Sequence, residues 1–271
     1  MYMARRRATV QHPAKLGQAP WGSALWASVL GAVAALVVFA PAAWLARGVY
    51  AATNGHVLLA EPQGSVWFGS ARFLLTGGQG SVDAASLAGR VNWTLLPTVR
   101  GARVALGLPC CSNEPLQLVL RLGWSQSVVD VQPSEVRLPA QWLSGLGAPW
   151  NTLDPQGQLA LRNDAVQVQW AAGRARLQGQ LTLDMLAMSS RLSTLRPLGD
   201  YRLTIVGGDV PRMSLQTLQG VLQLSGSGQF VGSRIRFSGE ASAAPAQQDA
   251  LSNLLNIIGR RQGGKSLISL G

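Results

Sequence analysis

Two kinds of hydrophobic patterning divide the chain. From Trp21 to Leu45 (WGSALWASVLGAVAALVVFAPAAWL) 25 residues pass without a charged side chain. As a helix rising about 1.5 Å per residue this run reaches roughly 37 Å, enough to cross a hydrocarbon core of about 30 Å with some tilt. Trp21, Trp26 and Trp44 stand toward its ends, where indole rings favour the headgroup zone. Pro41 falls in its last turns, where a kink or stop costs least. After Tyr50 the continuous apolar run gives way to alternation. Val166-Gln167-Val168-Gln169-Trp170, Leu177 to Leu183, Val221 to Leu224 and Arg234 to Phe237 all repeat with period two, the pattern of strands with one buried and one wet face.

Turn-forming residues punctuate these runs: Asp154 to Gly157, Arg162-Asn163-Asp164, Ala172-Gly173-Arg174, Val206 to Asp209, and Gly226-Ser227-Gly228. Strands so closely spaced predict hairpins, and hence an antiparallel meander rather than strand–helix–strand units. Helical signals are few. Leu138 to Leu146 starts near a proline and ends before Gly147, suiting a short helix at the end of the sheet. Gln247 to Ile258 places Leu251, Leu254, Leu255 and Ile258 on one stripe, Gly259 stops it, and Arg260 and Arg261 follow at the negative end of its dipole. That stripe predicts a helix covering the sheet. The fold class expected is mainly β: a single N-terminal transmembrane helix, then a curved antiparallel β-sheet domain with one or two short helices. Strand-rich halves at 60–138 and 157–240 flank the LPAQWLSGLGAPW link and are expected to share one sheet.

Charge fixes an orientation. Residues 1–47 hold Arg5, Arg6, Arg7, Lys15 and Arg47 and no acid, which is +5 of the net +11; the other +6 is spread over residues 48–271. With most of those cations before the apolar run, residues 1–20 read as a cytoplasmic tail, 21–45 as the membrane span and 46–60 as a linker. Residues 61–258 read as a β-rich domain on the far side, and 259–271 as a C-terminal tail in which 266–270 could add an edge strand. A cleaved signal peptide is the competing reading, because alanines flank Pro41. The apolar run, however, is longer than the usual 7–15 residues of a signal peptide's core. Charged residues make up only 13% of the chain, so the surface must rely on Ser, Thr, Gln, Asn and Gly. No Lys/Arg block interleaved with aromatics follows the span, so the high pI does not point to nucleic acid.

Chemistry is sparse. His12 precedes the span and His56 follows it, so a two-histidine metal site is excluded and a Ser/His/Asp arrangement weakened. The twelve carboxylates form no paired acid/base pattern. Gly77 to Gly80 lacks the Lys-Ser/Thr ending of a phosphate loop. Gly259 to Ser266 does spell G-x-x-x-x-G-K-S, but a phosphate-binding loop needs a strand before it and a helix after it, and here a helix precedes. No catalytic residue, metal ligand or cofactor is expected. Cys110 and Cys111 are adjacent, between Pro109 and Pro115; a vicinal disulfide, an intermolecular bridge and two free thiols all fit the sequence.

The chain resembles type II secretion system protein N, an inner-membrane component of the general secretory pathway of Gram-negative bacteria. The resemblance rests on Gly64-Ser65-Val66-Trp67-Phe68-Gly69-Ser70-Ala71 and on Leu87-Ala88-Gly89-Arg90-Val91-Asn92-Trp93-Thr94-Leu95-Leu96-Pro97. Trp67 and Gly69 fit the first of the family's phrases; Trp93 and Pro97 fit the second. The resemblance implies an accessory, non-enzymatic role in exporting folded proteins across the outer membrane. The β domain would then lie in the periplasm, in contact with other parts of the machine: the inner-membrane platform and the outer-membrane secretin. Trp67 and Trp93 are expected as core anchors on neighbouring strands, with Gly69 allowing close packing.

A second reading is lipid handling, with a lipid held in a sheet groove. AsmA-like periplasmic proteins look similar in strand pattern and terminal helix. A concave sheet lined wholly by aliphatic residues would favour it, whereas a flat polar sheet with an exposed edge would favour strand addition by a protein partner.

Overall fold

The computed structural model describes residues 21–171, 174–231 and 234–271. The arginine-rich stretch 1–20 and its His12 lie outside the described residues. The chain divides into two compact units, Met1–Ala40 and Pro41–Gly271. The first holds helix α1, Trp21–Val38. Its 18 residues rise about 27 Å, because proline cannot donate the helical hydrogen bond and disfavours a helical residue before it. The apolar run is therefore not one helix to Leu45. It stops short of Pro41, and α2 (Ala42–Ala52) begins directly after it. Among the described residues, no helix is long and apolar enough to cross a membrane.

The second unit is mainly β. Its first part runs β1 (Val57–Gly64), β2 (Phe68–Thr76), β3 (Ala84–Ser86), β4 (Val91–Thr98), β5 (Gly101–Gly107), β6 (Leu116–Leu122), β7 (Gln126–Val131) and β8 (Ser134–Pro139). A 3-10 helix, Ala140–Leu146, and a single turn, α3 (Trp150–Leu153), follow. Then come β9 (Gln156–Ala171), β10 (Arg174–Ser189), β11 (Gly199–Gly208), β12 (Arg212–Gly220), β13 (Leu222–Val231) and β14 (Arg234–Ala243). Helix α4 (Gln248–Ile258), β15 (Arg260–Gln262) and β16 (Lys265–Leu270) close the chain. Among the described residues, 16 strands form one open antiparallel sheet, in the order β1-β2-β4-β5-β6-β7-β9-β10-β11-β12-β13-β14-β16-β15, with β3 on β2 and β8 on β9. The sequence pattern of a meander is thus met almost strand by strand.

The two strand-rich halves join at β9. This 16-residue strand is long enough to pair with β8 through Gln158–Asn163 and with β7 through Val166–Ala171. Arg162-Asn163-Asp164, read as a turn, is a bulge inside β9. Ala165 turns to φ 52° there, Asn163 Oδ1 accepts from the Val166 N–H at 2.8 Å, and Gly179 sits opposite on β10. A second bulge row crosses Gly157, Ala187 and Asp200, where Asp200 Oδ1 accepts from the Ala187 N–H at 2.6 Å. Bulges of this kind bend strands and strengthen their twist.

Gly226-Ser227-Gly228, also read as a turn, lies in the middle of β13. A Cβ at Gly226 would stand 2.4 Å from Phe237 Cζ, and one at Gly228 2.9 Å from Met213 Cγ. These glycines make room for large neighbours on one face instead of reversing the chain. Residues 46–60, expected as linker, hold most of α2 and the start of β1; residues 259–271, expected as a tail, form the β15–β16 hairpin paired to β14.

Three packed clusters sit on one face. Ala42 and Ala46 of α2 meet Leu59, Ala71 and Trp93. Leu87, Cys111 and Val136 pack with Trp142 of the 3-10 helix, whose ring centroid lies 5.2 Å from that of Phe73. Leu251, Leu254 and Leu255 of α4, the stripe expected from the sequence, bury themselves against Leu198, Tyr201, Leu222 and Ala241.

Candidate interaction surface

The residues that stand out by spelling mostly serve the fold. Gly69 pairs with Trp93 across β2 and β4, and the Trp93 Nε1–H donates to the carbonyls of Ser65 (3.2 Å) and Val66 (3.1 Å). Trp93 is only 4% exposed. Trp67 is not on a strand. It occupies the bend between β1 and β2, its N–H donating to Ser65 Oγ and its carbonyl accepting from Leu95 N at 2.7 Å.

Cys110 and Cys111 are bonded to each other, with S–S 2.04 Å, in the loop between β5 and β6. Cys111 is buried beside Leu87 and Val136, and its carbonyl accepts from Arg137 N at 2.7 Å; Cys110 faces outward.

His56 Nδ1 lies 3.2 Å from the carbonyl oxygen of Thr76, at a strand end rather than beside a nucleophile. Among the described residues, no three His, Cys, Asp or Glu side chains gather as metal ligands would. The G-x-x-x-x-G-K-S string spans the β15–β16 hairpin. Lys265 Nζ pairs with Glu240 Oε1 at 3.1 Å, and Ser266 Oγ is buried without a hydrogen-bond partner. The string thus lies on a strand hairpin that follows a helix, not between a strand and a helix N-terminus. Asp184 is held by Arg202 (Nε–Oδ1 2.6 Å, Nη2–Oδ2 2.9 Å) and Arg162 (Nη2–Oδ2 2.6 Å). The Arg202 hydrogen bond holds its carboxyl below the ordinary 3.8 despite burial, so it is a fixed anion, unsuited to proton transfer.

What the sequence did not single out is the extent of one apolar face. Strand register places Pro97, Ala102, Leu120, Val129, Val168 and Leu177 side by side across six strands. One position along, the opposite face carries Leu96, Arg103, Val119, Asp130, Gln167 and Gln178. The period-two pattern gave each strand's two faces. It could not give the register that fuses them into a surface. The three helix-backed clusters gather at the strand ends that carry Trp93, Leu116, Val136 and Leu222. Toward the other ends Leu120, Val129, Val168 and Leu177 are half-buried, Ala102 is buried and Pro97 exposed, and the hairpin tips expose Val99, Trp124 and Val210.

A family model described as type II secretion system, protein N, matches residues 55–267. The chain belongs to that family. Neither a search of curated proteins nor one of solved structures returns a match. Protein N is a structural secretion component, so membership implies a role in type II secretion, in association with other components of the system at the cell envelope. The matched range begins after α2 and takes in β1 to β15 and the first residues of β16. The protein N family is thus defined here by the sheet and by the helix α4 that backs it.

Proposed function

We propose that this chain is a bitopic inner-membrane component of the type II secretion system. Residues 1–20 face the cytoplasm, helix α1 (Trp21–Val38) within the apolar run 21–45 is retained as the anchor, and the sheet domain, whose core includes Ala42 and Ala46 of α2, lies in the periplasm. There it makes protein contacts with the inner-membrane platform and the outer-membrane secretin. The observation that carries this reading is the protein N match over nearly the whole sheet.

Helix α1 supports the anchor, exposing Leu25, Trp26, Leu30, Val33, Leu36 and Val37. A bilayer thins to accommodate a span a few ångströms short of its core at a modest cost. The Cys110–Cys111 bond supports the compartment, because disulfides persist outside the cytoplasm. The chain has no catalytic role in this reading.

Two measurements test it. After chemical crosslinking in cells, affinity purification of the full chain recovers platform and secretin proteins; recovery without any secretion component refutes the partner assignment. Alkaline phosphatase fused after Gly271 is active if the C-terminus is periplasmic; an inactive but stable fusion refutes the topology.

A further inference from the structure

We propose that the polar face of the sheet, across β11 to β14 and β16, binds a phosphorylated oligosaccharide in an open groove of about 740 Å³. Strand alternation makes this face. Leu215 packs against the α4 cluster, so its neighbour Ser214 points to the other side of the sheet. Register then sets Thr204, Ser214, Ser227, Ser238 and Ser269 side by side across five strands, all lining the groove. Two residues along the strands lies a second lining row, Arg212, Gln229 and Arg236. Its two arginines stand two strand spacings, or about 10 Å, apart. The four serines and the second row are exposed, since the helices and packed clusters lie on the opposite face.

The two arginines select an anion. Arg162 and Arg202 line an adjoining groove that shares Thr204, but both are committed to Asp184. Arg212 and Arg236 form no salt bridge among the described residues, and no Asp or Glu side chain lines their groove. Gly271 borders Arg236 without an ion pair to it. Guanidinium forks match phosphate oxygens in geometry as well as in charge.

The hydroxyl row decides what carries the phosphate. Serine and threonine hydroxyls and the Gln229 amide both donate and accept hydrogen bonds, as sugar hydroxyls do. Such a row beside two unpaired guanidinium groups fits a ligand that is a polyol along its length and anionic at points. The volume falls within the range of about 300–1,000 Å³ usual for ligand sites. A flat bilayer surface does not follow a concave floor. An acidic peptide would meet strand backbone groups already committed to the ladders.

The proposal does not rest on which secretion proteins bind the chain. It is tested by calorimetric titration of the full chain, in a detergent without a sugar headgroup, with mannopentaose 6-phosphate. This probe should bind about tenfold or more tighter than mannopentaose, inorganic phosphate or hexaglutamate. Arg212→Gln/Arg236→Gln should weaken its binding by about tenfold or more, and Ser214→Ala/Ser227→Ala by about threefold or more. All four side chains are exposed and take no part in the packed clusters, so the fold is left alone. Arg103 is an exposed cation of the same face without a salt bridge, outside the groove, and Arg103→Gln should change the affinity by less than about twofold. No binding, binding as tight to any of the three comparison probes, or an equal loss in Arg103→Gln overturns the proposal. Undiminished affinity in the serine variant overturns the polyol assignment.

Discussion

Gly69 is where sequence motif, register and packing meet, and Gly69→Ala tests that junction. The new Cβ would sit 2.4 Å from Trp93 Cζ2 and 2.7 Å from both Trp93 Cε2 and the Gln63 carbonyl oxygen. Reaching ordinary contact at 3.4 Å requires the indole to move by about 1 Å. That movement is opposed from two sides. Trp93 packs against Ala42, Leu59 and Ala71, and its Nε1–H is held by the Ser65 and Val66 carbonyls. Overpacking of a filled core costs about 1–3 kcal/mol, and loosening the indole hydrogen bonds adds about 1 kcal/mol. The expected loss is therefore about 2–4 kcal/mol, read as a lower urea midpoint by pulse proteolysis of the full chain in detergent. In a Trp93→Phe background the indole atoms are gone and only the Gln63 contact remains, so the same alanine should cost about 1–2 kcal/mol less. A neutral Gly69→Ala, or a cost that is the same in the Trp93→Phe background despite its smaller ring, would refute the packing argument.

Leu251→Ala empties a fully buried position where α4 meets the sheet, and should cost about 2–5 kcal/mol, seen in the same urea titration together with earlier cleavage of the β15–β16 hairpin. Ser266→Ala should be neutral or stabilise by up to about 1 kcal/mol, because the buried hydroxyl has no partner to lose; clear destabilisation would show that it has one. Asp184→Asn should cost about 1–2 kcal/mol near neutral pH, the guanidinium groups being partly exposed. Its native pH dependence has a definite sign. The folded carboxyl is depressed below 3.8, so its contribution is complete above that value and is lost as the pH falls through the lower folded one. Asp184→Asn should flatten this part of an acid-unfolding curve, and a curve of unchanged shape would count against the Arg162–Asp184–Arg202 arrangement.

The sequence by itself determined the kinds of element and much of their order. Alternation marked the strands, the Leu251/Leu254/Leu255 stripe marked α4, and the uncharged run marked α1, because each of these signals is local and repeats with the period of its own element. It also ruled out a phosphate loop at Gly259–Ser266, since the helix before it was already legible. Tertiary structure alone decided what local signals leave ambiguous. A polar Arg-Asn-Asp triplet reads as a turn until a partner strand makes it a bulge; Gly226 and Gly228 read as a turn until Phe237 and Met213 arrive beside them. Pro41 had a visible cost, but only the folded chain showed the helix stopping at Val38 and starting again at Ala42. The apolar face is the plainest case. Each strand announces one apolar side, and only the long-range register of β4 through β10 sets those sides in line as a single surface.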